Sequence, residues 1–165
     1  MINAPKLDRI DINILAELQR SGRITNAQLA DKVGLSPSPC LARVKRLEQA
    51  GYISGYSAII NLAKIGSSQI VFTSVTLGDH RRADFQKFEH KIAQYEELVE
   101  CHLVSGGFDY LLKFVVQGIA QYQELMENLL ESDIGVSKYF SYIVIKSAVV
   151  RGQPTVRLHV PAGTR

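Results

Sequence analysis

The amino-acid sequence predicts an α+β chain of two modules: a small helical head, then a sheet module with the element order βαββαβ. Three observations lead there. Through Gln49, apolar residues recur at helical spacing between helix-capping residues, the mark of short amphipathic helices. From Ser68 onward, β-prone runs rich in Val, Ile, Phe and Tyr alternate with two helical stretches. The charge also divides unevenly. Residues 1–61 hold eight Lys/Arg against five Asp/Glu, and residues 62–165 hold eleven of each, so the formal net charge of +3 resides in the head.

Residues 1–6 read as a frayed arm. Leu7 to Arg20 is a first helix, capped by Asp8, with Leu7, Ile10, Ile14 and Leu18 as its apolar stripe. Ser21-Gly22-Arg23 ends it. Thr25 caps a second helix and Gln28, three residues on, completes a capping box. Ala27, Leu29, Ala30 and Val33 are its apolar side. Gly34 suits the left-handed position that ends a helix. Ser36 then caps a third helix, and Pro37 takes its first position, where a missing N–H costs nothing. Leu41, Val44 and Leu47 mark the buried side of this helix. At about 100° per residue, Pro39, Arg43 and Arg46 project from the other side, flanked by Ser38, Lys45 and Gln49. No helix here is long enough to stand alone, so the three share a small core. Beyond Gly51, Tyr52–Ser54 and Tyr56–Ile60 flank Gly55 and read as a hairpin wing.

Two capped helices across a tight turn form a helix-turn-helix pattern, whose second helix enters the major groove of double-stranded DNA. The chemistry matches. Guanidinium groups suit guanine edges and phosphates, and small hydroxyls near the helix start suit the backbone. The excess of positive charge in the head points to a polyanionic partner. The competing interpretation is an amphipathic helix with a solvated basic face.

Residues 62–66 form a linker. Ser68–Leu77 is a strand, Asp84–Tyr95 a helix with Phe85, Phe88, Ile92 and Tyr95 inward, and Leu98–Ser105 a strand. Gly106-Gly107-Phe108-Asp109 is a loop, followed by a strand over Tyr110–Val116. Ile119–Leu130 is a helix with Ile119, Tyr122, Leu125, Met126 and Leu129 inward, and Val136–Ser147 is the last strand. Two split βαβ units of this kind make a ferredoxin-like sheet spanning residues 67–147. Residues 148–165 are a tail, with two prolines and a glycine after Gln153. Helices cover one face of such a sheet. Both alternate sets of Tyr110–Val116 and of Tyr139–Ile145 are largely apolar, so the second face is too apolar for water. The same sheet of a second subunit is the simplest cover, giving a homodimer with higher even-numbered assembly.

Hydrophobic content of 46% and charge of 21% fit a globular chain with a real core. Cys40 and Cys101 lack metal-ligand spacing and read as small buried hydrophobes of a reducing cytosol. The first residues lack an apolar signal core and no run approaches 18 apolar residues, so membrane insertion and secretion are not expected. For catalysis the sequence offers little. His80, His90, His102 and His159 are scattered, without a paired nucleophile or carboxylate pair at consistent spacing.

Two segments carry a specific resemblance. LDRIDINILAELQRSGRITNAQLADKVGLSPSPCLARVKRLEQAGYISGY resembles the DNA-binding half of the Lrp/AsnC family of regulators, and ECHLVSGGFDYLLK resembles that family's effector-domain signature. The match runs from about Leu7 to Lys146 and is nearest the leucine-responsive branch. It implies a winged helix-turn-helix followed by an amino-acid-sensing domain that dimerises through its sheet and assembles into octamers or larger. It also implies a cytoplasmic, nucleoid-associated activator or repressor tuned by a small amino acid, leucine or a relative, with no cofactor. The DNA-binding set implied is Thr25, Ser36, Ser38, Pro39, Arg43, Lys45, Arg46 and Gln49. The effector set is Ser105, Gly106, Gly107, Phe108, Asp109 and Tyr110, with Ser141 and Tyr142 carried over from the last strand. Physically, glycines 106 and 107 let backbone N–H groups converge on an α-carboxylate, and Asp109 can accept from an α-ammonium. On residues alone the turn reads first as plain hairpin punctuation, with Asp109 satisfying turn amides, and it is the resemblance that favours sensing. An architectural DNA-binding protein that senses nothing is the alternative function.

Overall fold

In the computed structural model, the residues described are 6–150, 152 and 154–156. The expected arm over residues 1–6, but for Lys6, and much of the tail lie outside them. The chain divides into two compact units. One comprises Met1–Ile59 together with Val150–Arg165, and the other is Ile60–Val149.

The first unit holds α1 (Arg9–Arg20), α2 (Asn26–Val33) and α3 (Pro37–Gln49). Local chemistry sets their ends. The Asp8 carboxylate accepts from the Asp11 N–H, and the Asp11 carboxylate accepts from the Asp8 N–H, a reciprocal cap. Thr25 and Gln28 do the same for α2. Gly34 ends α2 at φ 70°, a conformation that costs other residues a Cβ clash. Ser36 stands at the N-cap of α3 with extended backbone, but its hydroxyl makes no cap bond. Pro37, the first helical residue, brings no N–H that needs one.

The core of this unit is Ile14, Leu15, Leu29, Ala30, Cys40 and Leu47, with Val44 and Ile53 packed against it. Leu41 is not part of it and is 43% exposed. The inward line of α3 is therefore Cys40, Val44 and Leu47, rotated by one residue from the expected Leu41 line. The expected wing also differs. Residues 53–61 are in neither helix nor ladder. Gly55 lacks the positive φ of a tight two-residue hairpin turn, and the segment forms no ladder. Tyr56 instead donates to the Glu48 carboxylate on α3 at 2.9 Å.

The second unit follows a 3-10 turn at Leu62–Lys64. It holds β1 (Gln69–Leu77), α4 (Arg82–Ile92), β2 (Leu98–Leu103), β3 (Tyr110–Val116), α5 (Ile119–Glu131) and β4 (Val136–Ile143). The sheet is antiparallel in the order β2-β3-β1-β4, the ferredoxin-like arrangement. β4 stops four residues before the expected Ser147: its ladder with β1 ends at the Val71–Ile143 pair, and beyond it only the Val144 N–H donates to the Ile70 carbonyl, at 3.0 Å. Under the helices lie Val71, Val75 and Leu77 of β1 and Tyr110, Leu112, Phe114 and Val116 of β3. Phe88, Ile92, Tyr122, Leu125, Met126 and Leu129 pack onto them. Ile119, expected inward, is 36% exposed at the first position of α5. A chain of hydroxyls crosses this core: Thr73 to Tyr122 at 2.8 Å, and Tyr122 to Ser141 at 2.5 Å. Cys40 is buried as expected, and burial pushes its thiol pKa up. Cys101, expected buried, is exposed.

The opposite sheet face, away from α4 and α5, carries Ile70, Phe72, Leu111, Val115, Phe140 and Tyr142. Phe140 and Tyr142 are 51% and 55% exposed. Lys113 on this face is neutralised by Glu100 of the neighbouring strand at 2.7 Å.

Candidate functional site

On α3 the exposed ridge farthest from the core is Ser38, Ala42, Lys45 and Gln49, spaced four, three and four residues apart. The helical spacing alone places Ser38, Lys45 and Gln49 as flanks of two leading arginines. The structure turns the helix so that Arg43 and Arg46 lie to one side and reach α1. Arg43 Nη1 meets Asp8 Oδ2 at 2.6 Å and Asp11 Oδ1 at 2.8 Å, and Arg46 Nη2 meets Asp11 Oδ2 at 2.6 Å. Asp11 is fully buried, whereas the Arg46 side chain is 47% exposed. Two guanidinium groups thus satisfy one buried carboxylate and fix how α3 sits on α1. Burial works to raise the Asp8 pKa, but the Asp11 N–H and the Arg43 guanidinium hold it below the ordinary value. The same carboxylates hold the Arg43 pKa up.

The sequence marks Asp8 as a cap and gives no sign of the part Asp11 plays. Their three-residue spacing is visible, but nothing in it says that a helix thirty residues later docks there. Pro39 is exposed beside Ser38, and Ser36 precedes the helix. Thr25 is occupied, its hydroxyl accepting the Gln28 N–H at 3.3 Å. Asn26, beside it, donates to the Pro37 carbonyl at 2.8 Å and so ties the start of α2 to the start of α3.

In the second unit, Ser105 to Asp109 form the loop between β2 and β3. Gly106 has φ 151°, and a Cβ placed on Gly106 or on Gly107 would meet open space. The turn is anchored to β1. The Asp109 N–H donates to the Val75 carbonyl at 2.9 Å, and the Leu77 N–H donates to Asp109 Oδ2 at 2.8 Å. The other carboxylate oxygen faces His80 Nε2 at 3.0 Å. Asp109 therefore serves a main-chain amide and still presents an oxygen toward a half-exposed imidazole. Tyr110 begins β3 pointing the other way, into the helix-covered core. Its hydroxyl donates to Glu89 at 2.7 Å, and burial with that carboxylate drives its pKa up.

Ser141 and Tyr142 do not act together within one chain. Ser141 faces the helices and bonds Tyr122, while Tyr142 lies on the open face opposite Phe72. The β4 residue whose register leads toward the loop of Ser105–Asp109 is Tyr139, which pairs with Val75, and Val75 pairs in turn with Tyr110. Among the described residues there is no group of His, Cys, Asp and Glu that could hold a metal ion, and no helix long and apolar enough to cross a membrane.

Such a head joined to such a sheet defines a class: ligand-responsive DNA-binding regulators. The model of winged helix-turn-helix DNA-binding domains matches residues 7–54, and that of the Lrp/AsnC ligand binding domain matches residues 70–154. The chain is 46% identical over 140 residues to the leucine-responsive regulatory proteins of Klebsiella pneumoniae and of Escherichia coli K12, covering 85% of this chain and of each relative. A transcriptional regulator from Neisseria meningitidis, solved in complex with L-Met, superposes with a TM-score of 0.87 at 30% identity, over 94% of this chain and all of that one. An AsnC family regulator from Agrobacterium tumefaciens gives 0.87 at 28% identity, over 93% of this chain and all of its own. The chain belongs to the Lrp/AsnC family. It is a DNA-binding transcriptional regulator with an amino-acid-binding domain, not an enzyme.

Proposed function

We propose that this regulator reads DNA with α3 and responds to leucine or a related amino acid bound near Ser105–Asp109, acting on the nucleoid in the cytoplasm. The observation that carries the reading of DNA is the exposed ridge Ser38, Ala42, Lys45 and Gln49, set on a helix whose roll is fixed by Asp11. Lys45 supplies phosphate or guanine contact, and Gln49 has the amide that pairs with adenine. Ser36, Ser38, Pro39 and Thr25 line the approach to the backbone. Arg46, half exposed, can contact phosphate from the flank while keeping Asp11 paired.

The effector proposal rests on the glycine turn, on Asp109 and on relatives named for leucine; the Neisseria neighbour holds methionine. The zwitterion's carboxylate meets the amides of Gly106, Gly107 and Phe108, and Asp109 faces its ammonium. Ser141 and Tyr142 lie on opposite sheet faces, so at most one of them meets a given ligand directly. A dimer through the open sheet face, assembling further toward an octamer, covers Phe72, Phe140 and Tyr142. A second copy also suits the exposed Ile59, Ile60, Ile65, Ile145, Val149 and Val150 of the two connecting segments.

The effector test is Asp109→Asn, measured by calorimetry with leucine and methionine. Asn keeps an acceptor for the Leu77 N–H and removes the charge. Binding should weaken at least tenfold while DNA affinity without effector stays unchanged. Full amino-acid affinity in that variant would place the sensor elsewhere. For DNA, Lys45→Ala and Gln49→Ala should each weaken operator binding with the melting temperature unchanged, by about 1–3 kcal/mol where the residue reads a base. Unaltered affinity in both would remove the ridge as the reader.

A further inference from the structure

By its spacing in the chain, His80 is one of four scattered histidines. The fold gives it a partner. It lies in the link between β1 and α4, and both ends of that link are held. The Gly78 N–H donates to the Gly135 carbonyl at 2.8 Å, and the Arg81 N–H donates to the Asp84 carboxylate at 3.0 Å. From there the imidazole reaches Asp109 on the loop between β2 and β3. Its Nε2 lies 3.0 Å from Asp109 Oδ1 and 3.1 Å from Oδ2. Phe85 of α4 flanks the ring, with centroids 5.9 Å apart.

The near-equal distances place Nε2 in front of the carboxylate, between its two oxygens. That is the position a ligand ammonium needs in order to share both oxygens. Asp109 is held in place: the Leu77 N–H donates to Oδ2 at 2.8 Å, and the Asp109 N–H is tied to the Val75 carbonyl. The exposures say which partner yields, since the Asp109 side chain is 18% exposed and the His80 side chain 55%. A half-exposed imidazole leaves for water by a change of rotamer, and a pair at such a site is weak enough to exchange.

We infer that His80 is a built-in competitor for the effector: its imidazole occupies the Asp109 carboxylate, and an amino acid binds near Ser105–Asp109 by displacing it. The inference rests on the effector reading of Asp109. The affinity for the effector is then a difference between two donors for one carboxylate. Histidine is also the side chain that changes charge between about pH 5 and 8. A protonated imidazole holds a carboxylate more tightly than a neutral one, because the contact is then charge-assisted on both sides. Acid therefore weakens effector binding. The charged groups beside the imidazole are Asp109 on the loop, Asp79 and Arg81 in the same link, and Arg82 and Asp84 at the start of α4. Carboxylates and guanidinium groups keep their charge across that range, which leaves the imidazole as the variable.

The test is calorimetry of the full chain with leucine and with methionine, at about pH 8 and about pH 5.5. In the wild-type chain the affinity should be lower at the acid pH. His80→Ala should tighten binding at the acid pH by roughly two- to fivefold, the range an exposed ion pair supports, and remove most of the pH dependence. His80→Lys keeps a cation in front of Asp109 at both pH values. It should bind more weakly than His80→Ala at both and show equally little pH dependence. A His80→Ala variant that binds as the wild type does overturns the proposal, since the imidazole then competes with nothing. One that binds more weakly overturns it too, since the imidazole would then hold the ligand. So does a pH dependence that persists unchanged in both variants. Full affinity for both amino acids in Asp109→Asn would instead defeat the effector reading, whatever the His80 variants show.

Discussion

At the level of single residues, Asp11 decides the most. It lies fully buried, accepts the Asp8 N–H, and takes one guanidinium from each of Arg43 and Arg46. Removing both arginines would leave that carboxylate buried and unpaired, at a cost on the order of 3–5 kcal/mol. The double variant Arg43→Ala, Arg46→Ala should therefore lose DNA binding largely because the head unfolds, which denaturant melts of the free protein would reveal. If the melt is unchanged, the arginines do not hold the head together. Acid acts through related groups. Asp8, Glu17 and Glu100 have pKa values held below their ordinary 3.8, 4.5 and 4.5. For Asp8 the Asp11 N–H and Arg43 outweigh burial, for Glu17 Lys32 leads, and for Glu100 Lys113 leads. A carboxylate with a depressed folded pKa stabilises the fold fully above its unfolded value and loses that contribution as pH falls through the folded one. The melting temperature should thus be flat from pH 7 to about 5 and decline below about 4.5. A decline already complete at pH 6 would assign it to other groups.

At the level of elements, the sheet settles which face of β3 each residue serves. Val115 pairs across from Ile70 on the open face, away from the helices. Val115→Glu should leave the fold intact and reduce the assembly toward an 18.3 kDa monomer in light scattering. Retention of the wild-type mass would exclude this face as the interface. Much of this layer could be read from the sequence. The caps at Asp8 and Thr25, the left-handed Gly34, the bounds of β3 and the βαββαβ order follow from local chemistry and from periodicity. What escaped depends on partners remote in sequence. Leu41 and Cys40 differ by one step on α3, and apolarity favoured the leucine. The small core shared with α1 and α2 took the cysteine. The end of β4 is set by how far its ladder with β1 extends, not by its own β-prone residues. The supposed wing had the composition of a hairpin but lacked the turn geometry at Gly55. For the candidate site, the position of the glycine turn and of α3 was legible, whereas the roll of that helix and the anchoring of Asp109 to β1 were not.

At the level of the whole molecule, the chain is two units joined twice, once near residue 60 and again near residue 150. The Gln19 side chain, on the last turn of α1, donates to the Pro154 carbonyl and accepts from the Val156 N–H. The bond from Gln19 to Pro154 spans 135 residues, while the contacts among α1, α2 and α3 are all made within the first 60. That difference has a kinetic consequence. Contacts close in sequence form early, and those that close long loops wait until the intervening chain has collapsed. The head can complete its core while the sheet is still being synthesised, and the tail arrives last, on a surface already made. Its opening should be local and cheap compared with global unfolding. Native-state hydrogen exchange should find the Val156 amide far less protected than the amides of Leu15 or Leu29. Gln19→Leu should abolish the former and leave the latter two unmoved. Equal protection at all three would mean that tail and head fold as one cooperative body.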